Sequence, residues 1–139
     1  MPQDVSLPGV EMAGTAQPGY HPLIESDGDW IAAVLNGSLD SWAAPDRIEQ
    51  HPHTDELFVL VAGRARLIAA GAGSQPGPIQ QIEMRRNMLY NVKKSVWHAS
   101  PMSSDAKLLI IERNPKGITG FTNRQPLTAE QKAALPPAN

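Results

Sequence analysis

The sequence contains no cysteine in its 139 residues, which excludes a disulfide framework, a thiolate zinc site, an iron–sulfur cluster and a thiol nucleophile in one step. Any metal must be held by nitrogen and oxygen. Charge of one sign is also missing as a pattern. The 12 basic and 14 acidic residues give a formal charge of -2, with no like-charge block long enough to form a tail or coat a nucleic-acid backbone. Nucleic acid is therefore not an expected partner. No apolar stretch approaches the length that spans a bilayer, and residues 1–30 lack a basic segment followed by an apolar one. No membrane partner is expected, and the expected location is cytoplasmic. There is also no internal repeat, no heptad, and no glycine-rich loop between a strand and a helix that would cradle a phosphate.

What is present in quantity is punctuation. Thirteen prolines and eleven glycines fall between short apolar runs rather than in one tract, the pattern of an all-β domain with many short connections. The length fits one domain able to bury a core without disulfides. Residues 1–20, rich in proline, glycine and small side chains, are expected to be extended. Residues 29–36 read as a strand between Gly28 and the Asn36-Gly37 turn. The segment around Pro45 suits an irregular connection or an edge strand. Leu57, Phe58, Val59, Leu60 and Val61 form a strand with no polar position, expected to be covered on both faces. The alternation Arg64, Ala65, Arg66, Leu67 after Gly63 reads as the returning arm of a hairpin with one wetter face. Residues 79–84, 87–92, 95–100 and 107–114 supply further strands, the last an apolar run suited to a sheet interior. Roughly eight or nine strands result. One helix is expected, where Thr128 and Gln131 form a capping box and Pro136-Pro137 ends the run.

The residues able to carry chemistry gather in "HPHTDE". His51 and His53 are two apart, so on an extended segment both imidazoles project to one face and can share a metal ion. Glu56 breaks that parity and needs a bulge or turn at Thr54-Asp55 to join them; otherwise Asp55 is the acid that faces them. His98 lies far along the chain but can be returned beside the pair by an antiparallel sheet. Two or three imidazoles with one carboxylate suit iron, manganese, nickel or zinc, and leave positions open for a substrate oxygen. His21, beside Pro22, is the least suited of the four histidines.

These residues resemble the motifs of the cupin superfamily. The first motif runs glycine, five residues, His-x-His, three or four residues, glutamate, six residues, glycine. The chain supplies His51, His53, Glu56 and Gly63, with the last interval kept, a gap of two residues after His53, and Pro45 in place of the leading glycine. Of the second motif only His98 matches; Asn87, Lys93, Ser95 and Met102 stand at its glycine, proline, glycine and asparagine. The resemblance covers about residues 45–113.

It implies an all-β double-stranded β-helix, the cupin jelly-roll barrel, over residues 21–125, followed by a short C-terminal helix and tail over 126–139. It further implies a pocket inside the barrel, with one divalent transition metal held by His51, His53, Glu56 and His98. A small polar, oxygen-rich metabolite is the expected ligand or substrate. A metal there would act by Lewis-acid polarisation or, if iron, dioxygen activation, with Asp55 and Tyr90 as candidates for acid or base. The alternative is a metal-free binding barrel without catalysis. Small cupins of this size are frequently homodimers, and the extended N-terminal segment is available to cross between subunits.

Overall fold

A computed structural model describes residues 7–26, 29–43, 45–113 and 122–135. Its strands in chain order are β1 (Gly19–Glu25), β2 (Trp30–Asn36), β3 (Arg47–Gln50), β4 (Glu56–Ala62), β5 (Arg66–Ala69), β6 (Gln80–Glu83), β7 (Leu89–Val92), β8 (His98–Ala99), β9 (Lys107–Arg113) and β10 (Asn123–Pro126), followed by the helix α1 (Ala129–Ala133). They form two five-stranded antiparallel sheets, ordered β1-β2-β9-β4-β7 and β10-β3-β8-β5-β6. The expected all-β class with one short terminal helix holds.

The apolar runs take the positions their composition demands. β9 lies between β2 and β4, and the three share a continuous ladder in which Leu108 pairs with Leu35 and Leu60, and Ile110 with Ala33 and Phe58. Phe58, Leu60, Leu108 and Ile110 are buried between the sheets with Met102 and Ala106. The opposite face of β4 is only half covered, and Val61 at its end is 53% exposed. β4 is therefore a one-sided strand despite its uninterrupted apolar sequence.

Three other expectations are corrected. Residues 64–71 do not return beside β4. β4 pairs with β7 and β9, whereas β5 pairs with β6 and β8 in the other sheet. The chain crosses between sheets at Gly63, whose φ is +71° and where an added Cβ would lie 2.5 Å from Ala106 Cα, so both conformation and space require glycine. Nor is Arg66 on a wet face: it is buried, donates to the Trp42 carbonyl, and stacks on the Trp42 ring. The segment after Pro45 is a strand, β3, but an interior one between β10 and β8 rather than an edge strand or an irregular connection, and β1 and β10 add two further strands beyond those expected. β10 carries the polar sequence Asn-Arg-Gln-Pro, which has no apolar period to reveal it.

The second sheet has its own covering layer. Ile48, Ile68, Ala70 and Trp97 pack against Leu127 and Leu135, which flank α1. The Thr128 hydroxyl accepts from the Gln131 amide and the Gln131 side chain accepts from Thr128, the expected capping box. Gly28 and the stop at Pro136-Pro137 lie outside the described residues. At two positions where the second motif has glycine, this chain keeps the glycine conformation without the glycine: Asn87 has φ 64° and Ser95 φ 72°. The backbone requirement persists where the residue type has changed.

Candidate metal centre

The two sheets face each other across a cavity of about 760 Å³. β3 enters from one wall. Ile48 and Gln50 point outward, Ile48 into the layer under α1, while Gln50 donates to the Ser95 and Gly73 carbonyls and accepts from Asn123. Pinning the outward side chains aims the alternate ones, Arg47, Glu49 and His51, into the cavity, which all three line. β8 brings His98 beside them, directly opposite Glu49 in the ladder. β4 and β9 bring Glu56 and Glu112, paired across their own ladder, from the other wall.

The turn at Pro52-His53 ends β3 and carries the chain to the other sheet. Glu56 consequently meets His51 from the facing wall, brought round by a turn as expected, though at Pro52-His53 rather than at Thr54-Asp55. His51 Nε2 lies 3.1 Å from Glu56 Oε2 and His98 Nε2 lies 3.1 Å from Glu56 Oε1. Ligand atoms of these three residues all fall within 4.8 Å of one another. His53 is not brought into this group. Its ring stands edge-on to His51 with centroids 6.4 Å apart, and its Nδ1 is buried without a hydrogen-bond partner. The parity rule that paired it with His51 stops applying where the strand stops.

The two residues considered as acid or base stand elsewhere. Asp55 is exposed and accepts from the Lys94 amide and the Asn91 side chain, which hold its carboxyl below the usual range. The Tyr90 hydroxyl accepts from the Arg85 amide, and neither Tyr90 nor Asp55 lines the cavity. In their place the fold supplies Glu112 and Tyr20, which sequence reading missed. The Tyr20 hydroxyl donates to Glu112 Oε1 at 3.1 Å. Glu112 sits at the end of an apolar strand and Tyr20 in a proline-rich segment, so neither carried a local signal. Glu49, Arg47 and Arg124 were likewise overlooked; the one available clue was that Glu49 has the same two-residue spacing to His51 that His53 has.

Burial and close contact shift the titrating groups of the cluster in opposite directions. Burial disfavours a charged His98, but its hydrogen bond to Glu56 and the charge of Glu56 outweigh that and raise its pKa. Burial prevails at His51 and lowers its pKa against the pull of Glu56. Glu56 is itself buried, yet hydrogen bonds from His98 and Glu112 and the charge of His51 keep its pKa low. Glu112 is pushed up to about 8, by burial first and then by its contact with Glu56. Burial and Glu112 likewise raise the Tyr20 hydroxyl.

The donor set fits a divalent transition metal. Val96 O can only accept, so the 2.9 Å contact places the proton of His98 on Nδ1. Nε2 then either takes a second proton or offers its lone pair to a cation beside the Glu56 carboxylate. Two such nitrogens and one carboxylate with further positions open make a nitrogen and oxygen site suited to iron, manganese, nickel or zinc.

No protein-family model matches the sequence, and no curated protein matches it. Solved structures do match in shape. BH2720 from Bacillus halodurans superposes with a TM-score of 0.50 at 17% identity, covering 69% of this chain and 70% of that one. Oxalate decarboxylase from Lactobacillus farciminis, in a formate complex, gives 0.51 at 18% identity, covering 89% of this chain and 40% of that one. The cupin domain of Schizosaccharomyces pombe Cnp3 gives 0.49 at 11% identity, covering 73% and 72%. The chain has a cupin-type fold. Its cupin barrel spans well under half the length of that oxalate decarboxylase, and the identities make this a likeness of fold. Among the described residues, no helix is long and apolar enough to cross a membrane.

Proposed function

We propose that this cupin barrel is a metal-dependent enzyme acting on a small, polar, oxygen-rich metabolite. The observation that carries the reading is the convergence of His51, Glu56 and His98, with two Nε2 atoms each 3.1 Å from one buried carboxylate. A divalent transition metal held by these residues would supply Lewis-acid polarisation of a substrate carbonyl or hydroxyl or, if it is iron, activation of dioxygen.

The chain's own residues supply the rest. Phe58, Leu35 and Ile110 give the cavity an apolar floor that limits water. Arg47 lines the cavity and, among the described residues, its side chain has no acidic partner, whereas Arg124 is tied to Glu49 at 3.0 Å. Arg47 is thus available to bind a negatively charged substrate group. Glu112, whose carboxyl is raised by burial and by Glu56, stands beside the cluster and can act as general acid, with Tyr20 orienting its carboxyl.

Elemental analysis of chelator-free protein tests this reading. Near-stoichiometric transition metal is expected in the wild type and none in a His51→Ala, His98→Ala double variant. No uptake after reconstitution with iron, manganese, nickel and zinc would establish the metal-free binding barrel instead. A ligand would then raise the melting point without metal.

A homodimer is part of the same proposal. Leu7, Val10 and Met12 are exposed on an N-terminal arm that is anchored where Asn36 donates to the Thr15 and Gln17 carbonyls. A second copy of the chain would cover these residues, as sedimentation of the full chain against a Leu7→Ser, Val10→Ser, Met12→Ser variant can test.

A further inference from the structure

The pair of cavity-facing side chains spaced two apart is Glu49 and His51, not His51 and His53. Glu49, on the inward face of β3, lines the same cavity as His51 just past the strand's end, and its Oε2 lies 3.9 Å from His51 Nε2. It stands directly opposite His98 in the β3–β8 ladder, a position whose Cβ atoms are neighbours. It lies outside the tightest three-residue group but lines the same cavity. Its other oxygen, Oε1, accepts from Arg124 Nε at 3.0 Å, an arrangement that orients a ligating carboxylate and leaves Oε2 turned toward the cluster.

We propose that Glu49 is the fourth ligand of the centre and that His53 is not a ligand. The assignment rests on the metal reading given above. It makes a site of two imidazoles and two carboxylates, whose charge of −2 balances a divalent cation. Exchanging an imidazole for a carboxylate hardens the donor set, and so favours Mn2+ or Fe2+ relative to a three-imidazole site. Arg124 becomes the positioning residue of this ligand. His53 stands on the turn beyond β3 and does not line the cavity.

Calorimetric titration of Mn2+ into the metal-stripped full chain, with pulsed electron paramagnetic resonance of the bound ion, tests the assignment. E49Q should weaken Mn2+ binding by at least about tenfold, while H53A should bind as the wild type does. Hyperfine couplings should show two imidazole nitrogens in the wild type and in H53A, and three in E49H, which places an imidazole where Glu49 stands. The E49H spectrum keeps the test decisive where E49Q fails to fold, and thermal melts by circular dichroism distinguish that case. Wild-type binding with E49Q unaffected, with H53A weakened, or with three imidazoles counted in the wild type overturns the assignment alone. A wild type that takes up none of Mn2+, Fe2+ and Zn2+ overturns the metal reading beneath it.

Discussion

The two ends of the barrel interior are built on the same strands and could hardly differ more. Along β4 the inward residues run Glu56, Phe58, Leu60, and along β9, in register with them, Glu112, Ile110, Leu108. Moving a few residues along one ladder passes from two facing carboxyls to a closed apolar core. At the apolar end each side chain is satisfied by contact alone. At the other end Glu56 and Glu112 face each other, Glu56 held by His51 and His98 and Glu112 by Tyr20. Stability comes from contact at one end, while the other end keeps together buried polar and charged groups that burial alone disfavours.

The sharpest break of this contrast is Leu108→Ala. Leu108 is 0% exposed, so its truncation should cost about 2–5 kcal/mol. Urea denaturation is expected to show that loss, with metal affinity per folded molecule little changed. At the polar end the reverse holds. His98→Ala should lower metal affinity by at least about tenfold while changing the urea midpoint of the metal-free protein far less than Leu108→Ala does. A His98→Ala midpoint as low as that of Leu108→Ala would abolish the distinction.

The next effect is a pH dependence confined to the polar end. From 6.5 to about 8, His51 with its lowered pKa is neutral in the folded state while the unfolded chain sheds its remaining half proton there, and Glu56 is ionised in both. His98 and Glu112 have raised folded pKa values, so across this window the folded state binds more protons than the unfolded one. Stability must then fall as pH rises. The melting temperature of metal-free protein is expected to decline over that range, and Glu112→Gln, which stays neutral, should flatten the decline. A slope unchanged by Glu112→Gln would mean that Glu112 does not titrate in this window.

The smallest expected effect lies in the turns around β7. Ser95 and Asn87 hold positive φ without being glycine. Ser95→Gly should stabilise by about 0.5–1 kcal/mol by relieving that conformation, seen as a small rise in melting temperature at either end of the pH range. Asn87→Gly should gain less, because asparagine tolerates the left-handed region better.

Legibility followed locality. β4 and β9 were readable because uninterrupted apolar runs have few other places to go, and α1 because Thr128 and Gln131 cap it within four residues. β3 and β10 were not. Their four-residue sequences are mostly polar, and they are strands because Gln50 and Asn123, and Glu49 and Arg124, meet across the ladder. His51, Glu56 and His98 were recognised as chemistry from their types and from the resemblance to cupin motifs. His53 was placed with them by a period that assumes an unbroken strand, and the turn at Pro52 voids the assumption.

The sequence by itself determined the class of structure and the kinds of donor a metal could find. Short apolar runs between turn residues leave an all-β barrel, and the absence of cysteine leaves imidazole and carboxylate as the only strong metal donors. Only the tertiary structure decided which of these donors meet. Glu112, Tyr20, Glu49 and Arg124 enter the site through pairings between strands remote in sequence. Such a pairing depends on where each strand ends and which sheet it joins, and no local pattern encodes that.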